Sequence, residues 1–254
     1  MIGPPNLPVR ATQAYAPAMA RRFFASPLPP PGPATLSPSL GHHLGRLVRT
    51  GPGDAVVLFD GSGDEAHATV VEVRGRDLLV EVGAPVARAL GRSPRLRLEV
   101  AVALPRSPRT DWLLEHGTEA GIHGFRPILT ERTRRVPEQR EHWRRVLIAA
   151  CAQCDRAVLP TIAPTVGLDE FCAMPRPRES YVATTADLEL GPASADSALL
   201  VVGPEGGLTE REMAQLTGAG FAPRSLGPLT LRTETAVLAG AVRLLQSPLV
   251  AAGP

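Results

Sequence analysis

From residue 95 onward, strand-like and helix-like stretches alternate, and this rhythm narrows the fold more than anything else in the chain. Leu96–Ala103 is an apolar run of strand length, Thr110–Ala120 has helical spacing, Gly124–Leu129 is strand-like again and Gln139–Cys151 helical. Ser180–Thr184, Ala198–Val202 and Arg224–Leu226 follow as strands, and a helix pattern comes after each of the last two. Strands separated by helices must be joined by crossovers, so the pattern predicts an α/β unit with a mainly parallel sheet.

Local signals mark where its helices begin. Thr209-Glu210-Arg211-Glu212 is a capping box, in which the threonine hydroxyl and the glutamate carboxylate each satisfy an otherwise unpaired amide. Thr233 is the predicted cap of the last helix. That helix is apolar nearly all round from Ala236 to Leu245, so it must be buried, against the sheet and against a second copy of the chain.

The region before residue 95 reads differently. Residues 21–89 show short strands and tight turns: Val56–Phe59 leads into Asp60-Gly61-Ser62-Gly63-Asp64, Ala66–Val73 alternates, and Arg74–Asp77 turns into Leu78–Val82. This predicts a small β-barrel. A short helix over Ser39–Arg49 would set Arg46 and Arg49 on one side as a phosphate clamp. Residues 87–94, rich in Arg, Gly and Pro, are the expected boundary, with the second unit spanning 95–254. Residues 1–20 lack apolar periodicity and are expected to be a disordered extension, Met19 being a candidate start.

In a chain of 254 residues and net charge +2, the distribution of charge says more than its sum. No acidic residue precedes Asp54, whereas Arg10, Arg21, Arg22, Arg46 and Arg49 do, so one end is basic and is either a solvated face or a phosphate-binding one. All 27 basic residues are arginine. No apolar stretch reaches membrane-spanning length, and the expected location is the cytoplasm. Cys151, Cys154 and Cys172 suit a reducing compartment; the Cys151–Cys154 spacing lacks a second pair, so buried thiols are expected and no metal.

Parallel sheets hold ligands where the carboxyl ends of strands meet helix N-termini. Two glycine-bearing loops stand there: Val202-Gly203-Pro204-Glu205-Gly206-Gly207, and Leu226-Gly227 leading to Leu231-Arg232-Thr233-Glu234-Thr235-Ala236. Their glycines let backbone approach a ligand. Neither the phosphate-loop pattern nor G-x-G-x-x-G is present, which leaves a ligand recognised by backbone groups, such as an adenosine moiety. Each loop taken alone is equally a tight turn and a helix cap.

These loops, with Glu119-Ala120-Gly121-Ile122, Thr130-Glu131-Arg132, Ala149–Arg156 and Leu58-Phe59-Asp60-Gly61 in the same order, resemble the 16S ribosomal RNA (uracil-N3) methyltransferases of the SPOUT superfamily. The resemblance runs from about Arg21 to Gln246. It implies a PUA-like RNA-binding barrel, a deep trefoil-knot α/β domain, a homodimer, and S-adenosylmethionine enclosed by the two loops and by the loop after the Ser180–Thr184 strand. The cofactor residues it implies are Thr184, Val202, Gly203, Pro204, Glu205, Gly206, Gly207, Leu226, Gly227, Leu231, Arg232 and Thr233. The partner it implies is 16S ribosomal RNA or the small subunit, methylated at a uracil N3 in the decoding region, near the 3′ end of the RNA.

Arg232 is the first candidate for catalysis, through a guanidinium that stabilises a uracil anion, unless it only pairs with Glu234 or Glu205; Glu205 is a second, as proton acceptor. Arg21, Arg22, Arg46, Arg49, Arg132, Arg134 and Arg156 are the candidate phosphate contacts. Leu229 stands where the family usually has arginine, and Ala152 where it has glutamate. A SPOUT enzyme of other specificity, such as a ribose 2′-O-methyltransferase, and a non-catalytic ribosome-assembly factor are the alternatives.

Overall fold

The computed structural model describes residues 21–37, 50–75, 77–87, 96–133 and 138–246. The expected extension, the boundary segment 88–94 and the helix carrying Arg46 and Arg49 lie outside the described residues, as does Arg134.

The first unit is a five-stranded sheet, β1 (Arg21–Phe24), β2 (Gly32–Leu36), β3 (Ala55–Phe59), β4 (Asp64–Arg74) and β5 (Asp77–Ala87), in the order β1-β3-β4-β5-β2. Only the β1–β3 pair is parallel. Alternate residues Val56, Leu58, Val70, Val80 and Val82 enter a common core with Phe23 and Leu78, as the period-2 pattern requires. The β3–β4 turn closes where expected: Gly61 and Gly63 take positive φ, and Asp60 accepts from both the amide and the hydroxyl of Ser62.

The second unit carries β6 (Arg97–Val102), α1 (Arg109–Glu119), β7 (Gly124–Leu129), α2 (Arg140–Gln153), β8 (Thr161–Ile162), β9 (Val166–Gly167), α3 (Leu168–Ala173), β10 (Glu179–Glu189), β11 (Ser197–Val202), α4 (Glu210–Gly218), β12 (Ala222–Ser225) and α5 (Thr233–Leu245). Its strands are parallel, in the order β12-β10-β11-β6-β7-β8, with β9 beside β7. Both faces are covered, and β11 shows how. Ala198, Leu200 and Val202 pack with α1, α2 and α5, whereas Leu199 and Val201 face Leu216, Phe171 and Phe221.

The capping box at Thr209 is complete. At α5 the expectation needs correction. Arg232 holds the extended N-cap position without a side-chain cap, and Thr233 is already helical, its hydroxyl donating to the Gly203 carbonyl at 3.2 Å. Instead of closing its own helix, Thr233 ties α5 to the loop after β11. The far end of α5 is held by the β10–β11 connection: Arg243 Nη1 donates to the Leu190 carbonyl, and the Ala193 amide to Leu244.

The two units share a dry joint. Phe24 and Phe59 of the barrel pack on Ile148 and Cys151 of α2, and the Leu159 amide donates to the Gly61 carbonyl at 3.0 Å. Arg22 and Glu65 form an ion pair there with both side chains 2% exposed. Such a pair persists because the attraction between the two charges, with the Arg22 hydrogen bond to the Arg156 carbonyl, offsets the cost of taking both out of water.

Candidate active site

Strand register explains why three loops meet. Val202 stands opposite Val102 at the end of β11, Val182 of β10 pairs with Val201, and Thr184 pairs with Ser225 at the end of β12. Because β10 lies between β11 and β12, its Thr184–Thr185 segment is flanked by Gly203–Gly207 on one side and Leu226–Leu231 on the other. The loops enclose a cavity of ≈ 300 Å³.

Thr184, Val202, Gly203, Pro204, Glu205, Gly207, Leu226, Gly227, Leu231 and Thr233 line this cavity; Gly206 and Arg232 do not. Its wall also includes Ala183, Thr185, Leu208, Met213, Leu229, Thr230 and Ala236. Thr185 and Thr230 were reachable as neighbours of expected residues. Met213 was not, since it reaches the cavity only through the direction α4 takes.

The glycines have separate reasons. Gly207 (φ +72°) and Gly227 (φ +131°) adopt backbone conformations that L side chains rarely take. A Cβ on Gly203 would come within 3.0 Å of Leu208, and one on Gly206 within 3.3 Å of Arg132. The latter two make room for protein, so close approach of ligand is not their reason.

Charge at the rim bears on the alternative in which Arg232 only pairs with Glu234 or Glu205: both carboxylates lie against Arg109 instead, Glu205 at 2.6 Å and Glu234 at 3.8 Å. Among the described residues no carboxylate pairs with Arg232, which is exposed between two cavity-lining neighbours. Glu205, held in its ion pair, is poorly placed to accept a proton.

The candidate phosphate contacts separate into two groups. Arg22 and Arg156 are buried, and for them a phosphate role is corrected. Arg156 Nη1 donates to the carbonyls of Thr118, in the last turn of α1, and Ile122, just beyond it, at 3.0 and 2.7 Å, which places a cation at the C-terminal end of that helix. Arg21 is partly exposed and bonds Thr50 and Asp54. Arg132 is exposed and donates to the Gly206 carbonyl at 2.6 Å.

Around Arg156, burial pushes the Cys151 thiol up to about 12, so it stays protonated as a core group; burial also raises Cys154. His123 is lowered to about 4, first by burial and then by the cations Arg156 and Arg97. Among the described residues no three His, Cys, Asp or Glu groups converge as metal ligands, and no helix is long and apolar enough to cross a membrane.

A PUA-like barrel on a parallel α/β unit, with a loop-walled cavity at a crossing of strand order, defines an RNA methyltransferase of the SPOUT trefoil-knot class. An RNA methyltransferase domain family matches residues 92–245, and an RNA methyltransferase PUA domain family residues 36–83. The chain belongs to the family of ribosomal RNA small subunit methyltransferase E. The Mycobacterium bovis member is 36% identical, with 90% of this chain and 93% of that relative covered. A Bacillus subtilis member is 29% identical, over 78% and 83%. Among solved structures, ribosomal RNA small subunit methyltransferase E of Neisseria gonorrhoeae bound to S-adenosyl methionine superposes with a TM-score of 0.77 at 25% identity, over 88% and 95% of the two chains. A Legionella pneumophila methyltransferase with bound cofactor SAM gives 0.78 at 27%, over 88% and 96%.

Proposed function

We propose that this enzyme transfers a methyl group from S-adenosylmethionine to N3 of a uracil in 16S ribosomal RNA, in the decoding region of the small subunit, and works in the cytoplasm. The observation that carries the reading is the convergence of three strand-end loops on one cavity, with an exposed arginine immediately outside it that pairs with no carboxylate among the described residues. The lining fits the cofactor. Leu226, Leu231 and Ala236 offer an apolar slot for a flat base, and the glycine loops offer backbone groups to its edge.

When bound, S-adenosylmethionine supplies a methyl group already activated by its sulfonium. The chain's own task is therefore alignment and charge. N3 is shielded in a paired base, so the uracil must leave its stack to reach the cavity. Arg232 then stabilises the negative charge that forms as the imide proton leaves. Residues 21–89 grip RNA through Arg21 and, on the family resemblance, Arg46 and Arg49; residues 95–254 carry the transfer.

The working unit is a homodimer. Its support is an apolar groove along the outer side of α5, where Leu190, Leu231, Leu238 and Val242 meet, with Val242 46% exposed. A helix apolar nearly all round from Ala236 to Leu245 and left half-covered calls for a second apolar surface.

The deciding experiment incubates the purified protein and labelled S-adenosylmethionine with small subunits from a strain lacking its gene. Nucleoside mass spectrometry is expected to give N3-methyluridine. A ribose-methylated nucleoside would replace the proposal with the other specificity, and no product with no cofactor binding would leave an assembly factor.

A further inference from the structure

We propose that Arg132 is a positioning residue for the cofactor loop, acting through the Gly206 carbonyl; the inference rests on the cavity being the S-adenosylmethionine site. Arg132 belongs to a turn that is itself rigid. The Thr130 amide donates to Thr133 Oγ1 at 3.1 Å, and the Thr133 amide to the Thr130 carbonyl at 3.0 Å. The turn is fixed to the start of α4: the Glu131 amide donates to Glu212 Oε1 at 2.7 Å, while Glu131 Oε1 accepts from Arg211 Nε and Nη2 at 2.9 and 2.7 Å. Glu212 is the residue that completes the capping box with Thr209.

From this base the Arg132 guanidinium reaches Gly206, and its side chain packs so closely that a Cβ there would lie 3.3 Å from Arg132 Cδ and 3.4 Å from its Cβ. The peptide unit between Gly206 and Gly207 is thus held at both ends, because the Gly207 amide donates to the Pro204 carbonyl at 2.8 Å. Gly207 lines the cavity, whereas Arg132 does not. Arg132 therefore sets the shape of the cavity wall without touching what the cavity holds.

The test measures S-adenosylmethionine affinity by calorimetry, RNA affinity by filter binding, and steady-state kinetics on small subunits. Loss of one charge-assisted hydrogen bond predicts that Arg132→Ala weakens cofactor binding and raises its KM about tenfold. RNA affinity should change less than about twofold, as for any single exposed charge away from RNA. Arg132→Lys should recover part of the loss. Gly206→Ala should reproduce part of it by pushing the arginine off its bond to the Gly206 carbonyl, and Arg132→Ala with Gly206→Ala together should be no worse than Arg132→Ala alone, since the crowding Cδ is gone.

Wild-type protein that fails to bind S-adenosylmethionine would sink the reading of the cavity. Wild-type binding with unchanged binding by Arg132→Ala would sink only the brace, and a selective loss of RNA affinity would make Arg132 a phosphate ligand. Additive losses in the double variant would likewise overturn it.

Discussion

The joint between the two units and the rim of the cavity are both built on arginine, and they use it in opposite ways. At the joint, Arg22 and Arg156 are withdrawn from water, one against Glu65 and the other against the carbonyls of Thr118 and Ile122. At the rim, Arg109 and Arg132 stay accessible and hold loops, and Arg232 is exposed with no carboxylate paired to it among the described residues. A buried guanidinium has exchanged hydration for fixed partners and fails badly when one is lost. An exposed one loses little stability when removed, so its value lies in what it can meet. The joint should therefore govern folding and the rim activity.

The largest expected effect falls at the joint. Arg22→Ala removes the buried cation that faces Glu65, and thermal unfolding should show a loss of about 3–5 kcal/mol. Replacing both residues, Arg22→Met with Glu65→Leu, should recover most of it. A variant Arg22→Ala that melts with the wild type would show that water already reaches the pair and would dissolve the contrast.

Next comes the rim. Arg232→Ala should slow methyl transfer by about 10²-fold, the typical cost of removing one donor aimed at a developing anion. Its melting temperature and S-adenosylmethionine affinity should match the wild type. A wild-type rate would remove Arg232 from the chemistry.

The joint should also be the acid-sensitive part. His123 beside Arg156 is lowered from 6.5 to about 4, so the unfolded chain binds its proton first. Stability is then full above pH 6.5, declines as pH falls toward 4, and is constant for this group below that. Because the imidazole is only part-buried, the loss should be about 2 kcal/mol rather than the full shift. Urea titrations between pH 7 and 4 should show the slope, and His123→Phe should flatten it. An unchanged slope in that variant would assign the acid sensitivity to other groups.

How far the molecule was legible follows the range of each signal. The alternating strands, the β3–β4 turn and the Thr209 box rest on neighbours within a few residues, and they stand as read. Thr233 was placed at the right loop, although its partner, the Gly203 carbonyl thirty positions away in sequence, was not. The insertion of β10 between β11 and β12 is a long-range choice that no local period encodes, and the whole cavity depends on it. Arg22 was misassigned because charge was read without face. In β1 it shares a side with Phe24 while Phe23 enters the barrel core, and a strand with phenylalanine on both faces is covered on both.

The smallest effect should be a gain, and it tests whether the rim is tuned for RNA. Leu229 is 77% exposed on the cavity wall, so it spends apolar surface on water without contributing charge. Leu229→Arg adds one cation where RNA must approach, and counterion release makes its benefit depend on salt. Affinity for small-subunit RNA should rise about threefold near 50 mM salt and converge with the wild type as salt increases. Stability should stay within about 0.5 kcal/mol, since an exposed site has no packing to lose. A gain that survives high salt would mean that the arginine bonds RNA directly. An absence of gain at low salt would place Leu229 against something other than RNA, and the α5 groove nearby makes the second copy of the chain the first surface to examine by crosslinking.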